Sequence, residues 1–209
     1  MISPRSSQVL VSYEMSEGSG TTAYDSSSNT NNLTLVSTPP WKKVRTGSYA
    51  VDFDGSADHG TATQFVSGSS ARTHIIQFKA DSWTSQPYLW AFGVESNSRN
   101  DALVVLNTGV YYWNTYITTT DGDTVLNTGQ WYTLIVTHDG TTQKIYLDGV
   151  LDGTPTTNTL NTGASTFYLG RYNAVATQYF NGQIAHYSCL NYAVTAEQAL
   201  QIHKELFIY

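Results

Sequence analysis

Apolar and polar residues alternate along most of this chain with a period of two. Val51 and Phe53 are interleaved with Asp52 and Asp54, Val9, Val11 and Tyr13 are separated by single residues, and Trp131 to His138 is a run rich in Tyr, Ile, Val and Thr. Successive side chains of a strand point to opposite faces, so this alternation predicts half-buried antiparallel strands. The predicted strands run over residues 50–53, 74–80, 88–92, 102–106, 110–118, 131–138, 144–147, 166–169 and 183–190, with an earlier one at Val9 to Tyr13. Two sheets packed face to face follow from so many short strands.

The turns are written in Asn, Asp and Gly. Asp139-Gly140 and Asp148-Gly149 separate successive strands as tight hairpin turns. Leu-Asn-Thr-Gly occurs at 106–109, 126–129 and 160–163. Its unequal spacing excludes a solenoid or propeller, and each copy reads as a three-residue hairpin loop in which Gly supplies the positive φ. One helix is predicted, over about 195–205. Thr195 and Gln198 form a capping box, and Ala199, Ile202, His203 and Leu206 share one face. Residues 206–209 then form an apolar tail. At the other end, residues 1–7, with Pro4, Arg5 and two serines, read as an arm, disordered or docked on a partner. The division expected is an arm at 1–7 and one domain over 8–209.

A chain of 209 residues and 23.0 kDa suits one all-β domain. Only 12% of residues are charged, against about 25% in ordinary soluble domains. The expected surface is polar but mostly uncharged, suited to glycans or other proteins. A net charge of −6 disfavours nucleic acid and anionic membrane. Cys189 is the sole cysteine, so no disulfide can close within the chain. No segment has the apolar length of a membrane helix, and the first fifteen residues hold no signal-peptide core. As it stands the chain carries no export signal, and action outside a cell implies a removed signal or release within a particle.

Residues 129–151, GQWYTLIVTHDGTTQKIYLDGVL, place a Trp at the opening of one strand, then Asp-Gly, a short strand and Asp-Gly again. This order resembles the signature of the laminin-G-like, or concanavalin A-like, domain. Four further blocks fall in that family's order: Glu17 to Gly20 with Asp25 to Asn31, Gly47 to Gly55, Phe167 to Arg171, and Phe180 to Ile184 through Asn191 to Gln198. The resemblance spans almost the whole chain. It implies an all-β, two-sheet antiparallel jelly-roll sandwich with a short C-terminal helix, of a kind also found in phage and viral structural proteins. After Gly182-Gln183-Ile184 the family usually carries an Asp-Glu pair, and this chain has Ala185 and His186. Members that hold calcium commonly draw on the Asp-Ser-Ser loop, so the resemblance implies a metal site at Asp25, Asn29 and Asn31. Calcium accepts carboxylate, amide and carbonyl oxygens together. The alternative for the same residues is an Asx-turn in which Asp25 and Asn29 bond the backbone.

Candidate catalytic groups are sparse. Retaining glycosidases need two carboxylates about 5–5.5 Å apart, and no Glu-x-Asp-x-Glu alternation occurs here. Asp52 and Asp54 come nearest, but the resemblance assigns them to structure beside Gly55. The five histidines are scattered singly, without zinc-ligand spacing. The remaining candidates are aromatic. Along Val110 to Tyr116 the family pattern puts Tyr111 and Trp113 inward and leaves Tyr112, Asn114 and Tyr116 outward. That row can stack on and hydrogen-bond a sugar, form a tyrosine-rich protein contact, or simply pack across strands. The functional expectation is a non-enzymatic recognition or assembly module, a virion (phage) surface decoration or tail protein that touches host glycans, with virion proteins or a second copy of itself as partners. A secreted or cell-surface carbohydrate-binding module is the alternative, and a glycan-degrading enzyme the last choice. The expected location is therefore a virion or the extracellular space.

Overall fold

The computed structural model describes residues 7–206 apart from 46, 47, 85, 117, 173, 175 and 176. In chain order the first strands are β1 (Val9–Tyr13), β2 (Thr22–Ala23), β3 (Leu33–Val36), β4 (Trp41–Arg45), β5 (Ser48–Asp54) and β6 (His59–Thr63). The middle of the chain forms β7 (Arg72–Ser82), β8 (Tyr88–Gly93), β9 (Asn100–Val105), β10 (Tyr111–Asn114), β11 (Thr119–Asp121) and β12 (Trp131–His138). There follow β13 (Thr142–Leu147), β14 (Val150–Leu151), β15 (Thr156–Thr157), β16 (Thr166–Leu169), β17 (Asn181–Leu190) and α1 (Ala196–Leu206).

These strands build two antiparallel sheets. A nine-stranded sheet runs β14-β13-β12-β7-β17-β5-β4, with β1 added on β17 and β15 on β13, and an eight-stranded sheet runs β11-β10-β9-β8-β16-β6-β3-β2. The jelly-roll sandwich with one C-terminal helix is thus as expected. Both predicted Asp-Gly turns are present, with Asp148 and Gly149 each at positive φ between β13 and β14. Residues 110–118 differ from the prediction, because they are not one strand. The chain turns at Thr115, whose N–H and Oγ1 both donate to the carbonyl of Thr118, and β10 and β11 pair as a hairpin. The Leu-Asn-Thr-Gly copies also diverge. The first closes the β9–β10 hairpin with Gly109 N–H on Leu106 O, whereas in the third Thr162 bridges Gly68 and Gly163 N–H bonds Arg99 O. Identical tetrapeptides take different structures because their partners lie far away in sequence. The predicted arm and tail fall mostly outside the described residues.

The main core lies between the sheets and joins Ile76, Phe78, Trp90, Phe92, Trp113, Leu134, Phe167 and Tyr187. Outward residues of the nine-stranded sheet, among them Val9, Ile75, Ile135 and Tyr146, pack under the helix with Val194, Ala199 and Ile202. The capping box is formed: Thr195 N–H donates to Gln198 Oε1 at 2.9 Å and Gln198 N–H to Thr195 Oγ1 at 3.2 Å. Gln77 Nε2 donates to the last helical carbonyl, Leu206 O, at 2.6 Å and holds the other end against β7. The helix therefore covers part of the outer face of the nine-stranded sheet, beside a separate patch formed by Val44, Ala50, Trp131 and Ala185.

A buried charge network ties the two sheets together. Asp101, on β9 of the eight-stranded sheet, is fully buried and accepts from Arg72 Nη1 at 3.0 Å and faces His74 Nε2 at 3.2 Å, both on β7 of the nine-stranded sheet. Its other oxygen accepts the indole N–H groups of Trp113 at 2.9 Å and Trp90 at 3.3 Å. Arg72 also donates to Ser70 O, Gly68 O and Thr162 Oγ1. Burial disfavours the charge on Asp101, but His74, Arg72 and Trp113 outweigh it and hold the carboxyl well below its ordinary value. Burial also opposes charge on His74, yet Cys189 and Asp101 beside the ring raise its pKa to about 9.

Removing one partner of such a network leaves a buried charge uncompensated, at a cost of about 3–5 kcal/mol. Asp101→Asn is expected to lower the melting temperature by roughly 6–20 °C for a domain of this size, read by thermal and urea unfolding. The pH dependence has two limbs. His74 has a raised folded pKa, so its contribution is complete below 6.5 and is lost as pH rises towards about 9. Asp101 has a depressed folded pKa, so its contribution is complete above about 3.8 and is lost on further acidification. Unfolding midpoints measured across pH should peak between these limits, and in Asp101→Asn the alkaline limb should flatten.

Candidate functional site

The sequence points to two places, the Asp25 loop and the aromatic row of β10. In the first, Asp25 is buried and its carboxylate is occupied by donors. Oδ1 accepts the N–H groups of Ser12 and Ser27, both at 2.9 Å, and Oδ2 accepts the Ser27 hydroxyl at 2.8 Å and the Asn31 N–H at 2.9 Å. Asn29 and Asn31 use their side-chain N–H groups on backbone carbonyls, Asn29 on Val9 and Leu10 and Asn31 on Thr63. A cation on Asp25 would have to displace these donors, so the geometry favours the Asx-turn reading of the loop. Among the described residues no three His, Cys, Asp or Glu side chains cluster as metal ligands. Ala185, where the resemblance expects an acid, packs with Ala50, Val44 and Trp131 in an apolar cluster that would desolvate a carboxylate. His186 is held neutral, burial pushing its pKa down to about 4.

The Asp25 loop braces one end of the sandwich, where a groove of about 540 Å³ is lined by Leu10, Thr63, Phe65, Ser67, Ala164 and Ser165, among others. Its central polar side chain is already committed: Gln64 donates to Val66 O and Gly163 O and accepts from Ser165 N–H.

In the second place, alternation holds within the strand. Tyr111 and Trp113 are fully buried in the core, and Tyr112 and Asn114 are half-buried on the opposite face. Tyr116 lies beyond the strand, in the turn, at φ 86° and 52% exposed, so it is not carried outward by strand alternation. Asn114 Oδ1 accepts the Tyr116 N–H at 2.7 Å and closes that turn.

Register extends the row across the sheet. Asn114 pairs with Ala102, Ala102 with Ala91, Ala91 with Tyr168 and Tyr168 with Thr61. A second row pairs Tyr112 with Val104 and Val104 with Tyr88. Tyr172 folds back from the end of β16 and stacks on Tyr88, with ring centroids 4.3 Å apart and planes at 27°. Together Tyr88, Ala91, Ala102, Val104, Tyr112 and Tyr172 form an apolar cluster separate from the main core. From Asn114 to Tyr168 is three inter-strand steps, about 14 Å, and beyond Tyr168 lie His59, Arg171 and Tyr179. Tyr88, Tyr168 and Tyr172 were not singled out from sequence. Tyr168 was legible, since it alternates with the apolar Phe167 and Leu169, whereas Tyr172 lies outside any strand and has no periodic signal.

The carboxylates nearest a catalytic pattern are structural in their bonding. Asp54 accepts the N–H groups of Ser56, Ala57 and Asp58 and the Ser56 hydroxyl, which outweigh desolvation and hold its carboxyl well below the ordinary range. Asp52 lies 3.7 Å from the Lys42 ammonium.

Solved structures with the same architecture exist at low identity. Domain 4 of AbnA, an extracellular GH43 arabinanase from Geobacillus stearothermophilus solved with arabinotriose, matches at TM-score 0.73 and 18% identity over 94% of this chain and 98% of that domain. The botulinum neurotoxin serotype G binding domain matches at TM-score 0.70 and 12% identity over 94% of this chain, which spans 51% of that one. The Trypanosoma rangeli sialidase matches at TM-score 0.69 and 11% identity over 95% of this chain and 33% of its own length. At these identities the likeness is one of fold. No curated protein sequence matches this chain. The family model described as the concanavalin A-like lectin/glucanases superfamily matches residues 54–199, which hold the β7–β17 frame, the aromatic rows and the Asp101 network, and the chain belongs to that superfamily.

Proposed function

We propose that this chain is a non-enzymatic recognition module that lays a glycan across the outer face of the eight-stranded sheet. The observation that carries this reading is the register of that face, where the half-buried Tyr112, Asn114 and Tyr168 reach the surface in line with the sealed Ala91 and Ala102. Aromatic rings offer flat apolar faces to sugar C–H groups, and amides and tyrosine hydroxyls bond sugar hydroxyls. The arabinanase domain solved with arabinotriose and the toxin binding domains support a binding role for this architecture by analogy. The absence of enzymatic activity is supported by the engagement of Asp52 and Asp54 in structural contacts. A virion surface, as a decoration or tail protein, is the setting proposed for the module. It draws on the weakly charged sequence, and a secreted or cell-surface location serves the same chemistry.

On a glycan array followed by titration calorimetry, Tyr112→Ala should weaken binding by about fivefold or more, the loss of one stacking ring, with the melting temperature unchanged. Binding that persists undiminished in Tyr112→Ala and Asn114→Ala would place the ligand elsewhere. Reducing-sugar and unsaturated-product assays against polysaccharides should show no turnover, and turnover abolished by Asp52→Asn or Asp54→Asn would overturn the non-enzymatic reading. A monodisperse monomer in sedimentation that enters no particle would remove the virion setting.

Calcium at Asp25, Asn29 and Asn31 has its own test. A ligand that binds the native state alone raises stability with its concentration. With the carboxylate filled by four donors, thermal melts in millimolar calcium and in chelator are expected to coincide. A rise in calcium that Asp25→Ala erases would establish the metal site instead.

A further inference from the structure

At the end of the proposed glycan face stands an arginine without an acid. Arg171, at the end of β16, has its guanidinium carbon 5.0 Å from the ring centroid of Tyr168 and 5.6 Å from that of Tyr179. Both rings lie at cation–π distance of it, and the bridge between Arg171 and Tyr179 fixes the returning chain. Among the described residues no carboxylate lies within ion-pair distance of it, although the chain carries 16 acidic against 10 basic residues. Its polar partner is His59, with Nη1 to Nε2 at 3.4 Å, and its buried Nε has no hydrogen-bond acceptor. His59 turns Nδ1 to the carbonyl of Ala57 at 2.8 Å, so Nδ1 carries the proton and Nε2 offers the guanidinium only a lone pair. Burial, against the opposing bond to Ala57 O and with a smaller push from Arg171, lowers the pKa of His59. The local charge is therefore the positive charge of Arg171, preorganised and uncompensated, on the same face as Tyr112 and Asn114.

A guanidinium is planar and carries forked N–H donors that match two oxygens of one anionic group. We infer that Arg171, framed by Tyr168, Tyr179 and His59, is an anion subsite that selects acidic glycans, those bearing a carboxylate or a sulfate. The inference rests on the glycan-face reading and names its ligand class. Tyr168 links the two halves, since it borders Ala91 in the aromatic row and also stacks on the guanidinium.

The test compares the whole chain with Arg171→Gln and Arg171→Lys against three probes: oligogalacturonate for carboxylate, chondroitin sulfate oligosaccharides for sulfate, and arabino-oligosaccharides as neutral chains. The wild type should prefer at least one acidic series, and the better of the two identifies the anion. Arg171→Gln should weaken that series about tenfold or more, the loss of a charge-assisted pair, while neutral affinity and the melting temperature stay put. If Arg171→Gln lowers the melting temperature, Arg171→Lys decides. It keeps the charge over the rings but loses the fork, so weaker acidic binding at unchanged melting supports the subsite and equal binding overturns it. Neutral chains bound as well as acidic ones, with Arg171→Gln indifferent, would overturn the inference and leave the glycan face intact. No binding to any probe, in a wild type that also fails on a broad array, would sink the glycan face itself.

Discussion

A carboxylate buried in a sandwich core must be matched group by group or the fold does not hold, and Asp101 meets that condition through four side chains from both sheets. Arg72 and His74 reach it from β7, and Trp90 and Trp113 approach from its own sheet. Hydrophobic burial is non-directional and tolerates sliding of one sheet over the other. Hydrogen bonds at about 3 Å do not, because they weaken steeply off geometry. The contact thus sets where β7 lies over β8, β9 and β10. It also orients two of the largest core side chains, and Tyr187 extends it towards β17 through His74 Nδ1 at 2.9 Å.

That alignment decides which surfaces are free. With β7 and β17 central in the nine-stranded sheet, their outward residues Ile75 and Leu190 find the helix, and Thr73 and Gln77 anchor its approach and its end. On the eight-stranded sheet the central outward residues Ala91, Ala102 and Val104 are sealed in a cluster with Tyr88, Tyr112 and Tyr172. The surface of that face is left to the half-buried Tyr112, Asn114 and Tyr168, with Asp121 exposed beside Tyr112. Half-buried tyrosines and an amide in register present polar and flat apolar groups side by side. The single arginine at the border of that face breaks the pattern in the direction of an anion.

Membership of the concanavalin A-like superfamily accounts for the scaffold and leaves the ligand to the surface. Residues 54–199 carry the family match, and the Arg171 cluster and the aromatic rows lie within that span. The Asp25 loop lies before it. There the acidic group serves as an acceptor for Ser12, Ser27 and Asn31 and ties β1 to the loop that walls the end groove.

The inward and outward sides of β10 came from the family resemblance, whereas the all-β class, the two-sheet sandwich, the Asp-Gly turns and the capped helix came from the chain's own patterning. Each depends on residues a few positions apart: a period of two, a φ that glycine permits, a side chain reaching its own backbone. The same reasoning extended β10 through Tyr116, because a polar aromatic run looks alike whether it continues or turns, and Thr115 turns it by bonding Thr118. It passed over Asp101, Arg72 and His74 as ordinary single residues, since nothing local distinguishes a buried ion from an exposed one. It named Tyr112 and Asn114 but not Tyr88, Tyr168, Tyr172 or Arg171 as neighbours. Those residues share a face only through the register of β10, β9, β8 and β16, which joins segments more than fifty residues apart. Long-range pairing and burial are properties of the folded whole, and they decided which charges are sealed in the core and which tyrosines meet outside it.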